Sequence, residues 1–276
     1  MEKILIFIPM YNCAPQIPRT VSKIAELGED QKLFSRVLMV DNGSSDGTRE
    51  AAAEAAKALD IPALVVKNLE NYSLGGSHKV AFSYALENGF DYVLVLHGDD
   101  QGDIRDIVPL IKAGRHRELD SLLGARFAKG SKLVNYSSFR IFGNHVFNAF
   151  MSIISGKRVL DLGSGLNIYS CKYLKNRFYM YFPNDLSYNV YLLLYGIYAK
   201  SSFEFFPLSW REEDQISNAK LFKQSRDMIK MAGQYVFSRN VMFEPKPNKW
   251  SRIDYRFEEF ASNDAMEKER AEEAAI

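Results

Sequence analysis

The chain has 276 residues, 47% apolar, 25% charged and 13% aromatic, which gives it mass for a sizeable core and excludes a disordered tail, a collagen or a disulfide miniprotein. Thirty-five Lys and Arg against 34 Asp and Glu leave a formal charge of +1, so no global field recruits nucleic acid and any basic site must be local. The two cysteines, Cys13 and Cys171, stand far apart in sequence, a usage that fits a reducing compartment.

Residues 4–8 form an apolar run too short, and without the small-residue cleavage site, for a signal peptide; they read as a buried first strand. Further strands are expected at 37–40, 64–66, 93–96 and 119–123, and helices between them. Helical spacing joins Ile17, Val21, Ile24 and Ala25, and again Ile104, Ile107, Val108 and Ile111. This alternation predicts an α/β fold with a mostly parallel sheet covered by helices on both faces, which places ligands at the carboxyl ends of the strands. The longest later apolar stretch, residues 190–198, is about half of the roughly 20 residues that span a bilayer. The compact domain is expected over 1–240, with 241–276 as an extension, partly helical or disordered.

Polar residues gather after the strands. The first is followed by Pro9-Met10-Tyr11-Asn12, the second by Asp41-Asn42-Gly43-Ser44-Ser45-Asp46-Gly47-Thr48, and the fourth by His97-Gly98-Asp99-Asp100-Gln101-Gly102-Asp103. Carboxylates clustered behind a buried strand repel one another and lose hydration unless a cation or hydrogen-bond donors compensate them. Mg²⁺ or Mn²⁺ suits such a place, because it takes one or two carboxylates and completes its shell with water and substrate phosphates. The other reading is an Asp-rich turn that caps the next helix, a task suited to Asp103. Gly75-Gly76 reads either as a close backbone approach to a ligand or as a tight turn. Phe142, Val146, Phe147, Phe150, Met151 and Ile154 share a helical stripe flanked by Lys129, Lys132, Lys157 and Arg158; it reads as core or as an interfacial helix on an anionic membrane.

Taken in order and spacing, these loops with Asn71, Gly124-Ala125-Arg126-Phe127 and Asp161-Leu162-Gly163-Ser164-Gly165 resemble family 2 inverting glycosyltransferases. Within that family the likeness, over residues 3–235, is to the polyprenyl-phosphate sugar transferases of the dolichyl-phosphate mannose synthase group. The resemblance implies a glycosyltransferase A-type fold, Rossmann-like, that takes a nucleotide-diphosphate sugar as donor. Pro9, Tyr11 and Asp41 would line the base and ribose pocket, and Asn12, Asn71, Gly76, His97, Gly98, Asp99 and Lys220 would complete the donor site. Asp99, Gln101 and Asp100 would hold the metal, with a histidine, His97, where the group usually has its first aspartate. Arg126 and Arg140 match the arginines that the group places on phosphates, where a planar guanidinium fork serves well.

The function this implies is metal-dependent, inverting transfer of a sugar to polyprenyl phosphate by a peripheral protein on the cytoplasmic membrane face. A second reading transfers to a saccharide hydroxyl with Asp185 or Asp214 as base, and a third makes the chain an inactive nucleotide-sugar binder.

Overall fold

The computed structural model describes residues 2–214 and 221–264, the side chains of 221–225 excepted. In chain order the elements are β1 (Ile4–Met10), α1 (Ile17–Ala25), β2 (Arg36–Asp41), α2 (Thr48–Ala56), β3 (Ala63–Asn68), α3 (Ser73–Glu87), β4 (Tyr92–Leu96), α4 (Val108–Lys112) and β5 (Ser121–Ala125). They continue with β6 (Lys132–Val134), α5 (Ser138–Ser155), β7 (Leu166–Ser170), α6 (Cys171–Leu174), α7 (Tyr188–Tyr198), β8 (Phe203–Pro207), β9 (Ser209–Arg211), α8 (Leu221–Met242) and β10 (Phe257–Ser262).

One sheet runs β10-β3-β2-β1-β4-β7-β5-β8, and β6 pairs with β9 in a small second sheet. The neighbours β3, β2, β1 and β4 are parallel, as are β5 and β8. Strand periodicity explains the unbroken apolar runs of the central strands. Leu5, Phe7, Leu38, Val40, Val93 and Val95 enter one core with α3, α7 and α8, while Ile4, Ile6, Ile8, Val37, Met39, Leu94 and Leu96 enter the other with α1, α2 and α4.

Strands β6, β8 and β9 add to the expected set, and three further departures shape the fold. The stripe over 104–111 is a 3₁₀ turn, Ile104–Asp106, followed by the short α4, whose first turn holds Pro109 where no backbone N–H is required. Strand β7 inserts antiparallel between β4 and β5. Its buried polar Asn167 interrupts the apolar pattern and is satisfied by Gly124 N at 3.1 Å and Ser164 O at 2.9 Å. Residues 257–262, expected in a loose extension, form β10 and pair antiparallel with β3; residues 265–276 lie outside the described ones.

Lys79 of α3 fastens this carboxyl-terminal segment to the body. Its fully buried Nζ donates to Phe182 O at 2.6 Å, Asn184 Oδ1 at 2.8 Å and Tyr255 Oη at 3.1 Å. Three acceptors but no carboxylate surround the ammonium, and burial pulls its pKa from 10.5 down to about 7. The unfolded chain therefore holds a proton between pH 7 and 10.5 that the folded one has released, and stability rises with pH across that window. Chemical denaturation at stepped pH should show this rise in the wild type relative to Lys79→Met. Parallel curves would remove Lys79 as its source.

Candidate functional site

The loops after β1 and β2 are tied to each other. Asn12 N donates to Ser44 Oγ at 2.9 Å, Asn12 Oδ1 accepts from Ser45 N at 3.0 Å, and Cys13 N donates to Thr48 Oγ1 at 2.9 Å. Pro9 is buried in β1 and Tyr11 is 46% exposed, a ring at the mouth of the loop pair. Asp41, fully buried at the end of β2, accepts from Ser44 N at 3.1 Å and pairs with Arg49 Nε at 3.3 Å. Asn42 then carries the network on: its Nδ2 donates to Asn71 Oδ1 at 2.8 Å and its Oδ1 accepts from Tyr72 N at 2.8 Å. The bridging role of Asn42 depends on Asn71, 29 positions away, and no local pattern around Asn42 announces it.

The segment after β4 lies against the same loops. Gly98 N donates to Pro9 O at 3.2 Å, and a Cβ on Gly98 would stand 3.1 Å from that oxygen, so a glycine lets the acidic loop approach β1. Burial, with a smaller contribution from the Asp100 charge, raises Asp99 from 3.8 to about 6. His97 is pushed the other way, to about 4, by burial and then by the Arg126 charge, which keeps its imidazole neutral; its buried Nε2 has no hydrogen-bond partner. Asp103 caps the following turn, accepting from Arg105 N at 3.0 Å.

Asp100, read from the sequence as a metal ligand, is already engaged by cations of the chain itself. Its fully buried carboxylate pairs with Arg19 at 2.8 Å, Lys23 at 2.6 Å and Arg211, three cations that occupy it as a structural anchor. Among the described residues no three His, Cys, Asp or Glu side chains converge as a cation cage. A cation held by Asp99 and Gln101 would have to take its remaining ligands from water and substrate phosphates.

Arg126, at the end of β5, is chelated by Asp161, its Nε at 2.8 Å from Oδ2 and its Nη2 at 2.7 Å from Oδ1, while Arg126 N also donates to Oδ2 at 2.9 Å. Arg140, in the first turn of α5, places Nη1 at 2.7 and 2.5 Å from the two oxygens of Glu212 and lies 4.5 Å above the Tyr136 ring. Tyr136 and Glu212 also act electrostatically on Arg126, so the two arginines belong to one cluster.

Three consecutive residues join that cluster to the acidic loop. Trp210 bridges Gly102 and carries the Arg126 guanidinium 5.1 Å above its ring. Arg211 N donates to Gln101 O at 3.0 Å while its side chain pairs with Asp100, and Glu212 takes Arg140. Lys220, assigned to the donor site, lies outside the described residues.

Two other assigned residues are placed differently from the rest. Gly76 lies inside α3, where a Cβ would stand 2.2 Å from Tyr72 Cβ and 3.3 Å from Asn184 Nδ2; the close approach is the chain to itself. Asp185 is exposed, and its carboxylate accepts from Ser187 N at 2.9 Å, setting the turn into α7.

Residues 5–179 match Glycosyl transferase family 2. An undecaprenyl-phosphate mannosyltransferase from Micrococcus luteus is 27% identical over 173 residues, 63% of this chain and 68% of that protein. A polyprenol monophosphomannose synthase from Mycolicibacterium smegmatis is 23% identical over 171 residues, 61% of this chain and 62% of its own length. The match thus spans about two thirds of these relatives. Glucosyl-3-phosphoglycerate synthase from Mycobacterium tuberculosis, solved with Mn²⁺, UDP and glucosyl-3-phosphoglycerate, shares the fold at a TM-score of 0.61 and 14% identity, covering 94% of this chain and 88% of that one. The sheet order, the acidic loop behind β4 and the family match together make the chain a glycosyltransferase of A-type fold, a member of Glycosyl transferase family 2.

Proposed function

We propose that the protein transfers a sugar, with inversion, from a nucleotide-diphosphate donor to a polyprenyl phosphate at the cytoplasmic face of a membrane. The observation that carries this reading is the Trp210-Arg211-Glu212 seam, which holds an acidic loop and a pair of arginines side by side. In this reading Asp41 and Tyr11 receive the nucleoside, and Asp99 and Gln101 hold a divalent cation, Mg²⁺ or Mn²⁺. The donor set fits one, since a carboxylate raised to about 6 by burial gains most from an adjacent positive charge. Once bound, the ion supplies Lewis-acid stabilisation of the departing diphosphate.

Arg126 and Arg140 then align the acceptor. A lipid phosphate is anionic at neutral pH and needs positioning rather than a base, which agrees with the state of one candidate base, Asp214. Asp214 is held below the usual carboxylate range by its hydrogen bond to Arg19, at 2.8 Å, which makes it a weak proton acceptor. Incubation with a panel of nucleotide sugars and polyprenyl phosphate, with and without chelator, should give a glycosyl phospholipid by mass spectrometry that disappears when the metal is removed. Product formed only on saccharide hydroxyls would overturn the acceptor, and product in excess chelator the metal.

Membrane contact belongs to the same reading. No helix among the described residues is long and apolar enough to cross a membrane. Helix α5 turns Phe147, Met151 and Ile154 inward, yet leaves Phe139, Phe142 and Ile153 at 79%, 69% and 80% exposure on its outer face. Half of the stripe read from sequence is therefore core, and the face that remains joins exposed Lys157 and Arg158. Such a face enters a headgroup boundary by apolar burial plus attraction to anionic lipid, and salt weakens only the second. Flotation with phosphatidylglycerol vesicles should show binding that falls with salt and drops in Phe142→Ser with Ile153→Ser at an unchanged melting temperature. Equal flotation of wild type and variant would refute contact through α5.

A further inference from the structure

The carboxylates on the two arginines are held very differently. Asp161 is 1% exposed and receives Arg126 Nε, Arg126 Nη2 and Arg126 N, with Gly163 N adding a bond at 3.1 Å; it is locked. Glu212 is 21% exposed and its carboxylate rests on Arg140 alone among the described hydrogen bonds, while its backbone N is fixed to Val134 O at 3.1 Å. The side chain can rotate away with the backbone in place. Arg140 itself is 33% exposed and braced by the Tyr136 ring, so its guanidinium keeps its position when the carboxylate leaves.

We propose that Glu212 is a resident anion in the acceptor-phosphate subsite, which the incoming phosphate must displace from Arg140, and that this competition selects anionic acceptors over neutral ones. The inference rests on the proposed role of Arg140 toward the acceptor phosphate. A carboxylate carries one negative charge, whereas a phosphate monoester carries about −1.5 to −2 with three acceptor oxygens, so the phosphate wins the guanidinium. A neutral hydroxyl offers no compensation for the lost ion pair and leaves the subsite closed. Glu212 thereby sets the affinity for the phosphate and excludes competitors without contacting the transferred sugar.

Glu212→Gln keeps the shape and removes the competing charge. The KM for polyprenyl phosphate should fall about fivefold, the size of effect expected for releasing a partly exposed ion pair, with the donor KM unmoved. Glu213→Gln makes the same change of net charge one residue away, on a side chain whose described ion pair is with Arg211 and not with Arg140, and should leave the acceptor KM as it was. Titration calorimetry with inorganic phosphate gives a readout independent of turnover: Glu212→Gln should bind it more tightly than wild type, and adding Arg140→Gln should erase the gain. An unchanged or raised acceptor KM and unchanged phosphate affinity in Glu212→Gln would overturn the proposal, as would an equal gain in Glu213→Gln. If phosphate binds more tightly while wild type and variant both refuse polyprenyl phosphate, the carboxylate gate stands and the lipid acceptor falls.

Discussion

Asp99→Asn should lower metal-dependent turnover by at least about a hundredfold, a loss of roughly 2.7 kcal/mol of transition-state stabilisation, while leaving the fold intact. The amide keeps the side-chain shape but removes the charge on which the proposed cation depends. The fold is spared because that charge opposes it. With its pKa raised from 3.8 to about 6, the folded metal-free protein binds a proton that the unfolded chain has lost, so stability falls as pH climbs through that window. Above pH 6 the amide removes a penalty, and the melting temperature of the apo variant should equal or exceed that of wild type. The neighbour behaves in the opposite way. Asp100→Asn takes the only described carboxylate partner from Lys23 and loosens Arg19 and Arg211 around a fully buried site, so it should melt at a lower temperature. Turnover of Asp99→Asn at the wild-type rate across a Mn²⁺ titration would remove Asp99 from the reaction. Equal melting losses in the two variants would refute the division of labour between the paired aspartates.

The parts of the fold that the sequence made legible are those where local pattern and burial agree. Strands β1 to β4 are covered on both faces, so their residues form unbroken apolar runs, and the loops at their carboxyl ends stand out as polar blocks next to them. The loops that carry Asn12, Asp41 and Asn71 are hydrogen-bonded to one another because the parallel strands before them end on one edge of the sheet. Strand β7 was hidden because its buried Asn167 looks like a loop residue until its partners Gly124 and Ser164 are known. Strand β10 was hidden because it is an edge strand, mostly exposed and rich in Glu. The ion pairs were beyond reach for a different reason. Glu212 finds Arg140 across 72 positions, and Asp161 finds Arg126 across 35, and nothing in either local stretch specifies its partner. Gly76, which the sequence offers as either a ligand approach or a tight turn, lies inside α3 against the Tyr72 side chain, a neighbour that its local pattern does not reveal.

Arg126→Lys should reduce kcat/KM for the phospholipid acceptor by about thirtyfold or more, close to 2 kcal/mol, with a melting temperature near that of wild type. The reason lies in what the guanidinium does at once. Its Nε and Nη2 edge is committed to Asp161, at 2.8 and 2.7 Å, and its plane lies 5.1 Å from Trp210 and 5.3 Å from Phe127. With Nη2 also donating to Gly163 O at 3.2 Å, an arginine locked in this way directs its remaining Nη1 N–H groups along a fixed line. A lysine retains the charge and satisfies Asp161 through its ammonium, which preserves the fold, but a single nitrogen drawn to Asp161 has no second edge to offer a phosphate. Asp161→Asn tests the same logic from the partner: the charge of Arg126 survives, its aim is lost, and turnover should fall with weakened retention of the β5 end. Because the amide also leaves Arg126 largely buried without a full countercharge, this variant should lose thermal stability where Arg126→Lys does not. Wild-type kinetics in Arg126→Lys, with Asp161→Asn altering only stability, would make the pair a structural clamp and move the phosphate to Arg140 alone.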